Sequence, residues 1–274
     1  MKKGLLLAFA LVFVASFALA SDNASSVTQT GDNQSANVTQ TGSSNASTVD
    51  QFTDNDGIQT SEVSQDGSGN SAIVDMAQTG GGNNTSNSAY IEQIGDDNSA
   101  EQSVNAPGYN GGQHVWGLQE GDDNSLTQTI SSGHTESLHA EQSGTDNDAT
   151  QTSAGSHSHG EVYQDGAENY ALQEMSGSNN GYSGDQIVID QFGNENWAEQ
   201  SFTGSGSSHS NNGIIDQDGD YNDAYQTASG RDVNAEIYQL GNDNYASQTM
   251  SGHNNSSVIN QTGDNNSSTV TQNP

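Results

Sequence analysis

Single aliphatic residues recur along the chain two positions before a glutamine, with Ser or Ala two positions earlier: Ser25, Val27 and Gln29; Ser61, Val63 and Gln65; Ala89, Ile91 and Gln93; Ala235, Ile237 and Gln239; Ser257, Ile259 and Gln261. Residues two apart share one face of a β-strand, so each set predicts a short, half-buried strand carrying an amide on its buried side. A second segment reads Asn-x-Ala-x-Gln, at 98–102, 147–151, 169–173, 196–200, 222–226 and 244–248, with Leu126 the larger exception between Asn124 and Gln128. A large aliphatic on one strand opposite a small alanine on the other predicts two sheets about one side-chain layer apart. Between the segments a glycine stands two residues after the first glutamine, at Gly31, Gly42, Gly67, Gly95, Gly121, Gly144, Gly166, Gly193, Gly219, Gly241 and Gly263. Glycine permits positive φ and is mostly followed by Asp, Asn or Ser, which predicts strand, tight turn, strand. Longer Gly/Ser/Asn loops, Gly80 to Asn84, Ala106 to Gly112 and Gly204 to Gly213, lead to the next unit. The apolar alternation breaks at Gly117, within Val115-Trp116-Gly117-Leu118-Gln119.

Eleven times a glutamine is followed five residues later by an asparagine, and nine of those eleven are followed by another glutamine four or six residues on. A period near 22 residues means stacked like units instead of one globular core, so the expected fold is all-β, a solenoid of strand-turn-strand repeats with an amyloid-type two-sheet core. The expected stacking residues are Gln29, Gln40, Asn45, Gln51, Gln65, Asn70, Gln93, Asn98, Gln102, Gln119, Asn124, Gln128, Gln142, Asn147 and Gln151, continuing as Gln164, Asn169, Gln173, Gln191, Asn196, Gln200, Gln217, Asn222, Gln226, Gln239, Asn244, Gln248, Gln261, Asn266 and Gln272. A lone buried amide costs about 1–3 kcal/mol. Units stacked at the strand spacing of about 4.8 Å would instead let each amide meet its counterpart above and below. Most units carry Asn-x3-Gln and a few Asn-x5-Gln, which keeps the face parity and predicts one surviving rung. Asp56 in place of Asn and Gln78 off the expected spacing make the units from Gln51 to Gln78 irregular.

Composition narrows the function classes. The 274 residues are 29% hydrophobic, with 32 glycines, 2 prolines and no cysteine. Too little aliphatic area is available for a conventional core, and no disulfide framework exists. Residues 1–20 read as a signal peptide: Lys2 and Lys3, an apolar stretch from Leu5 to Phe17, then Ala18-Leu19-Ala20 before Ser21. The exported chain, 21–274, would hold about 10–11 units and keep Arg231 as its one strong base against 35 acids, giving 1 − 35 = −34. That sign excludes nucleic acid and anionic membrane surfaces as partners after cleavage. It also makes charge a brake on association, which calcium, salt or a pH near 4 should release.

No catalytic constellation emerges, and no cofactor is implied. The histidines, among them His157 and His159, are expected in polar loops without a defined metal site. Asp96-Asp97, Asp122-Asp123 and Asp218-Gly219-Asp220 lack calcium-loop spacing, which leaves only diffuse divalent-cation binding. Outward Tyr90, Trp116, Tyr163 and Tyr238 fit either cross-strand aromatic ladders or a carbohydrate-binding stripe.

The spacing Ser-x5-Gln-x4-Asn-x5-Gln resembles the curlin repeat, with Gln40-Thr-Gly-Ser-Ser-Asn45-Ala-Ser-Thr-Val-Asp-Gln51 similar position for position from the first glutamine. The resemblance covers essentially the whole chain after Ser21. It implies a functional amyloid of the curli type: a subunit that polymerises with itself into biofilm-matrix fibres, mediating adhesion and aggregation. It further implies a nucleator subunit and an outer-membrane export pore as partners. The competing expectation is a monomeric secreted solenoid acting as an adhesin or an ice- or glycan-binding module.

Overall fold

The computed structural model describes residues 22–54, 57–79, 86–107, 112–131, 135–181, 185–204 and 211–273. The signal segment, Asp56, the loop from Gly80 to Asn84 and parts of the loops at 106–112 and 204–213 lie outside them.

Among the described residues all regular structure is extended. The strands are β1 (Ala24–Thr30), β2 (Gln34–Ser43), β3 (Ala46–Thr53), β4 (Ile58–Ser68), β5 (Ser71–Thr79), β6 (Ser86–Ile94) and β7 (Ser99–Pro107). They continue as β8 (His114–Asp122), β9 (Ser125–Ile130), β10 (Ser137–Thr145), β11 (Asp148–Ser156), β12 (His159–Ala167), β13 (Tyr170–Ser178) and β14 (Ile187–Asn194). The last are β15 (Trp197–Gly204), β16 (Asn212–Asp218), β17 (Asp223–Arg231), β18 (Asn234–Leu240), β19 (Tyr245–His253), β20 (Ser256–Thr262) and β21 (Ser267–Gln272). Odd-numbered strands form one parallel sheet of eleven, here sheet 1, and even-numbered strands a parallel sheet of ten, sheet 2. Two strands make one turn of a β-solenoid, and every strand pairs in register with the strand one turn away.

Alternation dictates the core. Sheet 2 sends a row inward that runs from Val38 and Val63 through Ile91, Val162, Ile189, Ile215 and Ile237 to Ile259. Sheet 1 opposes it with alanines such as Ala149, Ala171, Ala198 and Ala224, as the large-against-small rule anticipates. Gly117 and Leu126, the two departures from that rule, compensate each other: a Cβ on Gly117 would stand 2.5 Å from Leu126 Cδ2. Gly160 gives way to Met175 and Gly213 to the ring of Phe202 in the same manner. Volume is conserved across the core pair by pair, which keeps it dense despite the few aliphatics.

The turns also follow from local chemistry. Gly144 has a φ of +112°, and a Cβ there would collide with the Gly166 carbonyl of the next turn. Two residues after the glycine a second residue is left-handed in turn after turn, among them Asp97, Asp123, Asp146, Asp243 and Asn265. The intervening Asx oxygen accepts a backbone N–H from the turn before, Asp122 from Asp96 and Asp264 from Asn242, both at 2.9 Å. These carboxylates and amides cap the turns.

Two expectations need correction. The segment Ser25 to Gln29, grouped by pattern with the strands of sheet 2, is β1 and lies in sheet 1 against Ser47, Val49 and Gln51. Gly31 consequently faces Thr53 on the opposite arc and is outside the glycine column running from Gly42 to Gly263. Nor do all histidines occupy loops, because His114, His139, His159 and His253 belong to strands.

Candidate functional site: buried amide ladders and their ends

Every amide expected to stack points inward. All are buried except Gln29, Gln40, Asn266 and Gln272, which are half-buried on the outermost turns. In sheet 2 the glutamine row is unbroken from Gln40 to Gln261: each Nε2 donates to Oε1 of the glutamine one turn on, at 2.8–2.9 Å throughout. In sheet 1 a second row runs from Gln102 to Gln248 with bonds of 2.8–3.3 Å in the same direction.

The second N–H of each amide explains why these groups tolerate full burial. Gln93 Nε2 also donates to the Ser71 carbonyl of sheet 1 at 3.0 Å, and Gln200 Nε2 to the Val188 carbonyl of sheet 2 at 2.8 Å. One proton therefore goes along the stack and the other across the core, tying the sheets together where a hydrocarbon core would only press them.

The asparagines sit at the corner preceding each sheet-1 strand, just outside the strand itself. From Asn70 on, each Nδ2 donates to Oδ1 of the asparagine one turn earlier at 2.9–3.2 Å, the opposite direction to the glutamine rows, while Asn23 Oδ1 accepts the Asn45 backbone N–H at 3.0 Å. Most also donate to a glycine carbonyl of the following turn, as Asn70 does to Gly95 at 2.7 Å. The corner thus clamps three successive turns.

The single rung expected in sheet 1 is two rungs. Gln29, Gln51 and Gln272, from the longer Asn-x5-Gln spacing, occupy a position two residues along from that of Gln102 to Gln248. Gln51 therefore meets Met76, contacting its Sδ at 3.8 Å, and Gln248 lies beside Val270. Gln78, which the spacing placed off pattern, is nevertheless buried, in register with Thr53. A further polar column that the sequence pattern did not single out lies at the other corner, including Gln59, Asn87, Asn180 and Asn211. Its mixed residue types concealed it, although Asn211 Nδ2 still reaches Asn180 Oδ1 at 3.0 Å.

The outer faces carry the remaining chemistry. Tyr90, Trp116 and His139 stack along the axis with centroids 5.7 and 4.2 Å apart, and Tyr163 follows at 5.6 Å. These contacts form a cross-strand aromatic ladder, stacked from Tyr90 to His139 and tilted at Tyr163. Tyr238 instead donates to Glu236. His159 bonds Glu161 at 2.8 Å and holds that carboxyl below its usual range. Burial, aided by Asp216 alongside, pushes Asp190 up to about 6.

Comparison with protein-family profiles, with characterised proteins and with solved structures finds no match to this chain.

Proposed function

We propose that the protein is an exported structural subunit that stacks end to end into curli-type amyloid fibres of an extracellular matrix, where the fibres mediate adhesion and aggregation. The observation that carries this reading is the polarity of the ladders. At the β20–β21 end the glutamine row finishes with the Nε2 of Gln261, free of a further glutamine, and the asparagine row with the Oδ1 of Asn266. At the β1–β2 end the same rows finish with the Oε1 of Gln40 and the Nδ2 of Asn23. Donor meets acceptor in both rows when copies join head to tail, and like meets like when they join head to head. Among the described residues, each end also leaves a row of strand N–H and C=O groups without a strand partner, a template for another strand.

The accumulated negative charge restrains joining, so salt, calcium or a pH near 4 shortens the lag before fibres form. The experiment is ageing of the mature chain, followed by sedimentation, electron microscopy and fibre diffraction, beside the variant Gly263→Ala. Gly263 has open space beyond it, whereas the equivalent Cβ on Gly241 would strike the Gly263 carbonyl. The variant is expected to fold and to remain soluble while the parent gives a meridional cross-β spacing of about 4.8 Å. A parent that stays monomeric, or a variant that polymerises as fast, overturns the reading.

A further inference from the structure

The outer face of sheet 2 carries two hollows of similar construction, the first in the middle of the stack and the second against β20, its last strand in this sheet. The first, about 380 Å³, has Leu118, Tyr163 and Phe192 as its apolar floor and Glu141, Asp165 and Asp190 among its carboxylates. The other, about 390 Å³, sets Tyr238 and Leu240 beside Asp216 and Asp218. Both lie between the same two outward rows, because Tyr163, Asp190, Asp216 and Tyr238 follow one another in register, as do Asp165, Phe192, Asp218 and Leu240.

We propose that these hollows bind small organic cations that combine an ammonium group with a flat apolar body, the first hollow more tightly than the second. The floor offers apolar area and a phenol and a phenyl ring, whose faces attract cations. The walls supply carboxylates, and no lysine or arginine lines either hollow to neutralise them. Asp190 adds to this set a carboxylate placed beside the like charge of Asp216, where a cation is favoured. A bound ammonium pairs with these carboxylates, while a neutral ring of the same size gains only the floor. Phe192 is 45% exposed, which is consistent with a floor reached from solvent. For the first hollow the inference is independent of fibre growth, since its lining comes from β8, β10, β12 and β14, away from either end.

Phenethylammonium is the probe, titrated calorimetrically into the full mature chain and followed by Trp116 emission in a Trp197→Phe background. Saturable binding in the millimolar range is expected, at least tenfold tighter than that of 2-phenylethanol. Asp190→Asn with Glu141→Gln should weaken it at least fivefold, and Asp165→Asn alone about twofold. Glu174→Gln with Glu199→Gln, which removes the same charge from sheet 1, should leave it unchanged. Equal affinity for the alcohol, an equal loss from the sheet-1 pair, or no saturation would each overturn the proposal.

Discussion

Replacing Gln191 by leucine tests the ladder at its middle. Gln191 is fully buried; it accepts from Gln164 at 2.9 Å, donates to Gln217 at 2.9 Å and donates to the Tyr170 carbonyl at 3.1 Å. In Gln191→Leu the Gln164 amide keeps its bond to the Asp148 carbonyl, but Gln217 Oε1 loses the donor that reaches it from the ladder. Orphaning the Gln217 acceptor costs about 1–3 kcal/mol, and each of the other two lost bonds adds about 1 kcal/mol. The extra apolar burial of leucine returns about 1 kcal/mol, leaving a net loss of about 2–4 kcal/mol. Gln261→Leu is the matched control, because Gln261 donates to the Tyr245 carbonyl and feeds no further glutamine. Its cost should be about 1 kcal/mol, the worth of ordinary net hydrogen bonds. Urea unfolding of freshly prepared monomer at low ionic strength, followed by far-ultraviolet circular dichroism, reads both. The reasoning is wrong if the two variants lose equal stability, or if Gln191→Leu lies within about 0.5 kcal/mol of the parent.

Two shorter predictions follow from the turns and the acids. Gly144→Ala combines a φ of +112° with a collision against the Gly166 carbonyl, so it should destabilise by more than about 2 kcal/mol, whereas Gly263→Ala carries only the φ strain of about 1 kcal/mol; equal urea midpoints would refute the collision. The Asp190 carboxyl lies at about 6 when folded, raised by burial and by Asp216, with Tyr163 and Asp165 also beside it. A raised acid favours the folded state below its unfolded value, near 4, and that contribution is lost as pH rises through about 6. Asp190→Asn should therefore raise the urea midpoint at pH 7.5 and leave it nearly unchanged at pH 3.5; a pH-independent difference would contradict this sign.

The two-residue parity of Val63 with Gln65, or of Ala171 with Gln173, was legible because a strand reports its faces directly. Repetition then separated an ordered stack from a disordered polar tract. What resisted reading was comparison between strands. Ser25 to Gln29 has the composition of either sheet, and only its pairing with β3 decides which. The offset between Gln51 and Gln102 preserves the alternation within each strand, so nothing local announces that their rungs differ. Gly117 looked like a defect until Leu126 was found filling its space from the other sheet. The cross-core bonds from Gln93 and Gln200 depend on the distance between the sheets, a quantity absent from any single strand.

If copies stack as proposed, the offset in sheet 1 has a consequence for how they would recognise one another. The outermost described strands share a spelling that β7 to β19 lack: Val27 and Gln29 of β1 stand where Val270 and Gln272 stand in β21. An incoming β1 laid on β21 would continue both rows, valine on valine and amide on amide. Laid on a frayed interior strand it would set valine against glutamine, as β21 already does against β19. Under the proposed head-to-tail stacking, the outermost described strands would thus act as a password, one that rewards correct joining and discourages growth from a damaged flank.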